Sequence, residues 1–317
     1  ISRIQPDIFV KGFEYSESLP SQTVMEKKTV EGYGGRMIFS PGDFVLSSSA
    51  VIENDPPKIG LEKLLTLMQV EGVSFADLRA ALSGLHRLAV TIAGDIIIDS
   101  LTTATVIGGY RKTPTPSVRV DAHERFVGGA GIVAKHMAAT GARVTFISMV
   151  GTDELGRFAI EDLMAAGVIC KVRSVGDRPT THKNAVLADG YRMLRLDTVD
   201  NKTIDHELLT EMAADLRDSP ANAVVFSDFR HGIFNKSTIP TFLDAAPEGV
   251  FTVADSQVAS RWGNILEFTG CDMITPNEEE VRFALGDQDS VIRPLGSALF
   301  DQARCRILML KLGARGM

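Results

Sequence analysis

The 317-residue sequence has little cysteine, no long apolar run and no excess of positive charge. Its three cysteines, Cys170, Cys271 and Cys305, are odd in number, far apart and never in CxxC spacing. That argues against a disulfide framework and fits ordinary packing in a reducing cytoplasm. No stretch approaches the roughly eighteen apolar residues of a membrane-crossing helix, so no membrane insertion is expected. Thirty-three Lys and Arg against 40 Asp and Glu give a net charge of -7. A broad nucleic-acid footprint needs a basic face, so nucleic acid is not an expected partner; a local basic pocket for phosphate stays open. Internal repeats and low-complexity tracts are missing, and no GxGxxG follows the first strand-like run, which removes the dinucleotide fingerprint. The first residues, Ile1 to Asp7, carry neither an initiator Met nor a signal-peptide pattern, so the chain is expected to begin inside a longer gene product.

What is present is a globular composition, 44% hydrophobic and 23% charged, long enough for one large domain or two ordinary ones. Three textures follow one another. Residues 1–54 hold short strand-like pieces, Asp7 to Gly12 and Gly35 to Phe39, too short to bury a core alone. Residues 55–85 read as a connector: Asp55-Pro56-Pro57 breaks structure, then Leu61, Leu64, Leu65 and Leu67 recur near helical period, and Ser74 precedes a helix start at Phe75. Residues 86–317 alternate strand and helix. Buried-strand runs end at Gly94-Asp95, Gly151, Ser227-Asp228, Asp255, Thr275-Pro276-Asn277 and Lys311-Leu312-Gly313, with helical stretches such as 131–140, 157–166 and 206–218 between them. This alternation predicts an α/β fold with a mostly parallel sheet covered on both faces. In such sheets ligands bind beyond the carboxyl ends of the strands, where these small and acidic residues collect.

Four motifs carry candidate chemistry. In Gly94-Asp95-Ile96-Ile97-Ile98-Asp99 a carboxylate near a strand end can accept paired hydrogen bonds from sugar hydroxyls, and a cap or turn aspartate reads the same. In Gly128-Gly129-Ala130-Gly131 two glycines before a helix let backbone N–H groups approach a ligand, or merely allow tight packing. In Thr275-Pro276-Asn277-Glu278-Glu279-Glu280, Asn277 and Glu280 can face one spot and hold magnesium near phosphates; a proline-started helix with acids in its first turn is the plainer alternative. Lys311 to Gly316 can form a nucleotide-contacting turn or an ordinary hairpin.

Taken in order, these pieces resemble the PfkB carbohydrate kinase family, in particular its bacterial heptose 7-phosphate kinase/heptose 1-phosphate adenylyltransferase subgroup. Further matching pieces are Ser117-Val118-Arg119-Val120, Val150-Gly151-Thr152-Asp153 with Gly156, and Arg178-Pro179-Thr180-Thr181-His182-Lys183. Leu194-Arg195-Leu196-Asp197 and Ser227-Asp228-Phe229 with Gly232 follow. The resemblance implies a ribokinase-like doubly wound sheet with a small β lid, ATP and magnesium as cofactors, and a sugar phosphate as substrate. It implies that Asp95, Asp99, Gly128 and Gly129 contact the sugar and that Lys183 holds an anionic substrate. It further implies that Asn277 and Glu280 organise magnesium and ATP phosphates, with Glu280 as the metal ligand. Lys311, Gly313 and Gly316 would border the nucleotide. The family's catalytic base lies in a Gly-Ala-Gly-Asp segment expected beyond Met317, so no catalytic residue is assigned within the chain. Three departures bear on substrate identity: Ile132 stands where the family usually has Asn, Tyr110-Arg111-Lys112 where the subgroup often has Ser-Pro-Glu, and Ser256-Gln257 where Pro and Lys are common.

Residues 1–54 resemble the later half of a cytidylyltransferase-like, Rossmann-like nucleotidyltransferase domain, through Asp7 to Gly12, Glu31 to Arg36 and Leu46 to Ile52. That resemblance implies nucleotide-phosphate contacts at Ser47, Ser48 and Ser49, where a simple serine helix cap is the alternative. The family's HxGH motif does not occur in the chain. The expectation is therefore a sugar-phosphate kinase coupled to nucleotide-sugar synthesis. A kinase for another sugar or sugar acid, and a catalytically incomplete sugar- or nucleotide-binding fragment, are the alternatives. Residues 103–127 and 180–196 have the texture of lid strands through which such kinases form homodimers.

Overall fold

The computed structural model describes residues 1–2, 4–12, 21–40, 59–109, 115–257 and 263–317. The chain divides into two compact units, Ile1–Ser74 and Phe75–Met317, and the expected connector over 55–85 is split between them.

In the first unit, strand β1 (Ile8–Gly12) runs parallel to β2 (Arg36–Ser40), and helix α1 (Ser21–Gly32) makes the crossover. The helix buries Thr23 and Val30, and its half-buried Glu26 pairs with Lys11 of β1. Helix α2 (Ile59–Glu71) follows. Both expected strands are present, yet one strand–helix–strand unit is too little to establish a nucleotidyltransferase domain. Ser47, Ser48 and Ser49 lie outside the described residues, as do Tyr110, Arg111 and Lys112.

The second unit opens with helix α3 (Phe75–Gly84) and strand β3 (Ala89–Gly94). Two long strands follow, β4 (Ile96–Gly108) and β5 (Ser117–Gly129), and then helix α4 (Ala130–Ala139). Next come β6 (Arg143–Gly151), α5 (Glu154–Ala165) and β7 (Ile169–Val175). After them stand β8 (His182–Ala188), β9 (Tyr191–Thr198), α6 (His206–Arg217) and β10 (Ala223–Asp228). The chain continues through α7 (Ile239–Ala245), β11 (Phe251–Ser256), β12 (Met273–Ile274) and α8 (Glu278–Leu285). It finishes with α9 (Ile292–Ala303) and β13 (Ile307–Leu308).

Seven strands form one sheet in the order β13-β12-β11-β10-β3-β6-β7, and every pairing in it is parallel. Strand alternation divides the core between the two faces. Phe226 and Ile147 face one cluster, with Met212, Leu216, Phe234, Phe242 and Phe268. Their neighbours Val225 and Phe146 face the other, with Ile92, Val144 and Leu163. Phe234 anchors the first cluster, its ring 5.0 Å from that of Phe242 and 5.6 Å from that of Phe268, both edge-on. Helices cover both faces, which is why the central strands read as continuous apolar runs.

The other four strands form a separate lid sheet, β5-β4-β8-β9. Strand β4 pairs antiparallel with β5 and parallel with β8, and β9 closes the edge antiparallel to β8. The lid is broader than the sequence texture indicates. Strand β4 leaves β3 across Asp95 alone, so Asp99 sits inside a lid strand and only Asp95 marks a strand end. The terminal turn also differs from a hairpin. Lys311 makes an isolated parallel bridge to Asn277, and a 3-10 turn covers Gly313–Arg315.

Candidate active site

The site is built where the lid leaves the main sheet. Ala130 N–H donates to Asp95 O at 2.9 Å, and this bond pins the start of α4 to the end of β3. Gly129 between them has φ 59, a left-handed conformation that a side chain would resist. A Cβ there would also lie 2.5 Å from Asp95 O.

Asp95 and Asp99 have different surroundings. Asp95 is 2% exposed. Its Oδ2 accepts from Phe229 N (3.0 Å) and His231 N (3.2 Å), and its Oδ1 from Ile233 N (3.3 Å). Burial pushes its pKa up, against the pull of those three amides. Its carboxylate therefore organises the loop after β10, and the arrangement gives it a scaffold part rather than an open face for a sugar. Asp99 is exposed, in register with Lys183 on β8 and Phe126 on β5, while Lys183 pairs onward with Asp197 on β9. One face of the lid thus carries the row Phe126, Asp99, Lys183, Asp197. The Asp99 carboxylate lies over the Gly128 backbone, and this local burial pushes its pKa up although Lys183 pulls it down.

The motifs between these residues brace the cleft. Asp153 caps α5 through Gly156 N (2.8 Å) and accepts from Thr180 N (2.8 Å) and Thr180 Oγ1 (2.7 Å). Gly151 N donates to Thr180 Oγ1 at 2.9 Å. Arg178 donates from Nη2 to Asp200 O (2.6 Å), Lys202 O (3.2 Å) and His231 O (3.3 Å), tying three loops together. Asp228 is fully buried, with Arg230 Nε 2.8 Å and Ser256 Oγ 2.7 Å from its Oδ2. Burial raises its pKa to about 7. Sequence reasoning gave none of Asp153, Thr180, Arg178 and Arg230 a task. Their motifs were visible, but a bond between residues 27 positions apart leaves no local pattern.

On the other side, Asn277 and Glu280 form a reciprocal capping box at the start of α8. Asn277 N donates to Glu280 Oε2 at 2.7 Å, and Glu280 N to Asn277 Oδ1 at 2.9 Å. Three glutamates occupy the first turn, where the helix dipole favours them. Burial pushes the Glu280 pKa up, opposed by the Asn277 amide and Lys311. Lys311 Nζ lies 2.8 Å from Asp255 Oδ1, which also accepts from Thr275 Oγ1 at 2.9 Å. The strand ends therefore gather Asp255, Thr275, Asn277, Glu280 and Lys311, and Gly313 and Gly316 bracket the turn beyond. The box engages Oε2 of Glu280 in the described bonds. No group of three or more His, Cys, Asp or Glu able to cage a metal occurs among the described residues. A magnesium held by one or two carboxylates, nucleotide phosphates and water needs no such cage, so this donor set fits it.

Residues 92–317 match the profile of the pfkB family carbohydrate kinases. The chain belongs to this family. PfkB kinases are phosphotransferases that use ATP. Among curated proteins, the chain is 29% identical over 250 residues to the bifunctional protein HldE of Rhodopseudomonas palustris strain TIE-1, covering 75% of this chain and 50% of that protein. It is 28% identical over 235 residues to the HldE of Caulobacter vibrioides, covering 72% and 47%. The chain thus spans about half the length of the curated relatives it matches. Among solved structures, phosphofructokinase-2 of Escherichia coli in its tetrameric inhibited form aligns with TM-score 0.57 at 15% identity, over 72% of this chain and 75% of that one. Arabidopsis thaliana ribokinase complexed with ribose and ATP aligns with TM-score 0.52 at 18% identity, over 72% of each chain. These two establish the ribokinase-like fold of the PfkB unit. Among the described residues, no helix is long and apolar enough to cross a membrane.

Proposed function

We propose that this PfkB kinase phosphorylates a sugar phosphate, of the type heptose 7-phosphate to heptose 1,7-bisphosphate, from magnesium-ATP in the cytoplasm. The observation that carries this reading is the Asp99–Lys183 pair. A carboxylate able to accept sugar hydroxyls and an ammonium able to hold a phosphate stand in register on adjacent lid strands. A substrate bearing both hydroxyls and a phosphate matches that pairing. The modest identity to proteins named HldE supports a heptose.

Phosphoryl transfer asks the protein chiefly for positioning and charge stabilisation. Asp99 and the Gly128-Gly129 backbone orient the attacking hydroxyl, with Asp95 holding the loop behind them, and Lys183 neutralises the substrate's anion. Asn277 and Glu280 hold magnesium, and the Lys311–Gly316 turn borders the nucleotide. Bound ATP supplies the phosphoryl group. Residues 1–54 form part of a nucleotidyltransferase that joins a sugar phosphate to a nucleotide, with Ser47, Ser48 and Ser49 at the phosphates; residues 55–85 connect it to a kinase domain over 86–317.

The lid face opposite Asp99 carries Val120, Leu194 and Leu196, exposed by 59%, 48% and 57%. That apolar face suits a homodimer through the lid strands, which light scattering on the purified protein tests. The central test is turnover: the purified protein should consume ATP with heptose 7-phosphate. Absence of turnover with a panel of sugar phosphates would overturn the reading. Ile132, in the first turn of α4, favours a second reading, since an apolar side chain cannot make an amide's hydrogen bonds. On that reading the same panel responds to another sugar or a sugar acid.

A further inference from the structure

We infer that His231 is a specificity-determining residue of the sugar site, its Nδ1 forming a hydrogen bond with one hydroxyl of the bound sugar. The inference rests on the reading that the cleft beside the Asp99–Lys183 row holds the sugar.

The position of His231 is fixed by its own backbone. Its N–H donates to Asp95 Oδ2 at 3.2 Å and its carbonyl accepts from Arg178 Nη2 at 3.3 Å. The residue is 7% exposed, and Nδ1 is buried with no hydrogen-bond partner among the described residues. Buried polar atoms are nearly always paired, so an unpaired one in a cleft points to a missing partner. His231 lines a small cavity with Asp95, Arg178, Thr180 and Thr181, which has room for about one water-sized group. Asp95, Arg178 and Thr180 are engaged with backbone amides, backbone carbonyls and Asp153 respectively. His231, with its unpaired Nδ1, is therefore a residue of this cavity whose hydrogen-bonding capacity the described contacts leave unused.

Two further observations identify the ligand. Asp95, which holds the His231 amide through Oδ2, also accepts from Ala130 N at the Gly128-Gly129 turn beneath Asp99, so the loop that carries the ring is tied to the root of the lid row assigned to the sugar. Burial, reinforced by Lys183 and Arg178, lowers the His231 pKa to about 4, so the ring is neutral near pH 7. A neutral imidazole both donates and accepts, which matches a hydroxyl, whereas a phosphate calls for a cation. The space for a single small group agrees with that choice.

The test is titration calorimetry on the 317-residue chain and on its H231F and H231N variants, with heptose 7-phosphate, fructose 6-phosphate and a non-hydrolysable ATP analogue as probes. Phenylalanine keeps the ring and removes Nδ1; asparagine returns a hydrogen-bonding atom close to it. We expect H231F to bind the preferred sugar phosphate about tenfold more weakly and to discriminate less between the two sugars. Affinity for the ATP analogue stays unchanged, and H231N recovers most of the sugar affinity. Equal sugar affinity in wild type and H231F would assign Nδ1 to an internal water and overturn the inference. Parallel losses of sugar and nucleotide affinity in H231F would overturn it in favour of a scaffold role. A wild-type chain that binds the ATP analogue but neither sugar would overturn the sugar-site reading itself, and the inference with it.

Discussion

A Cβ placed on Gly128 would stand 2.1 Å from Asp99 Oδ2, so the bare glycine backbone is what lets that carboxylate settle at the root of the lid. The blocking atom is the end of a side chain, and Asp99 can rotate away from an added methyl without moving the strand. Gly128→Ala should therefore change stability little, by about 1 kcal/mol or less. It should weaken sugar-phosphate binding about tenfold, because the carboxylate is displaced. Gly129→Ala is the contrasting variant. Its φ of 59 and the backbone Asp95 O at 2.5 Å leave no such escape, and a loss of roughly 2 kcal/mol or more is expected. Calorimetry for binding and thermal melts for stability separate the two; equal melting temperatures for both variants would contradict the argument.

Thr180 joins two loops through one hydroxyl. Oγ1 donates to Asp153 Oδ1 and accepts from Gly151 N, at a residue only 2% exposed. Thr180→Val preserves shape but strands the buried Gly151 amide and leaves Asp153 Oδ1 with only its bond from Gly156 N, which should destabilise the unit by about 1–3 kcal/mol. Thr180→Ser keeps the hydroxyl and should recover most of the loss. Urea unfolding midpoints of the three proteins check this, and a valine variant as stable as wild type would show the bonds to be dispensable.

The main sheet was legible because its central strands are buried on both faces, and Val90, Ile92, Val144 and Val224 leave long apolar runs. Lid strand β9 is exposed along its whole length, and only the short alternation Leu194-Arg195-Leu196-Asp197 marked it, so its texture was visible while its pairing with β8 was not. Asp99 was visible as a motif residue, yet its place inside β4 depended on how abruptly the chain turns at Asp95. The capping box was readable from the Asn277/Glu280 spacing alone. The roles of Asp95, Arg178 and His231 were not, because each depends on contacts made across more than twenty residues of sequence.

Glu280 has two proposed tasks that one substitution can separate. Its Oε2 accepts the Asn277 amide within the capping box, and its charge is proposed to hold magnesium. Gln at that position also closes a capping box, so Glu280→Gln should keep helix α8 and shift the melting temperature by no more than a few degrees. Magnesium-dependent nucleotide affinity should fall about tenfold. Asn277→Ala breaks the cap and should cost about 1 kcal/mol of stability. If E280Q binds the magnesium–nucleotide complex as wild type does, the carboxylate has only the capping task.

Asp228 should give the protein a distinctive pH dependence. Burial raises its pKa to about 7, with Asp95 adding to the rise and Arg230 and Ser256 opposing it. An unfolded aspartate titrates near 3.9. Between those values the folded state binds the proton more tightly than the unfolded chain. The contribution is therefore complete below about pH 4 and is lost as pH rises through about 7. Asp228→Asn keeps an acceptor oxygen for the Arg230 amide and an NH2 that can donate to Ser256 Oγ, but cannot ionise. The unfolding free energy of wild type should then fall by roughly 2–4 kcal/mol more than that of D228N between pH 4.5 and 7.5. Groups that titrate alike in both proteins, Glu280 among them, cancel in that difference, whereas Asp95, whose charge acts on Asp228, contributes to it. Denaturant unfolding at closely spaced pH values measures it, and parallel curves for the two proteins would mean that Arg230, 2.8 Å from the carboxylate, keeps Asp228 ionised throughout.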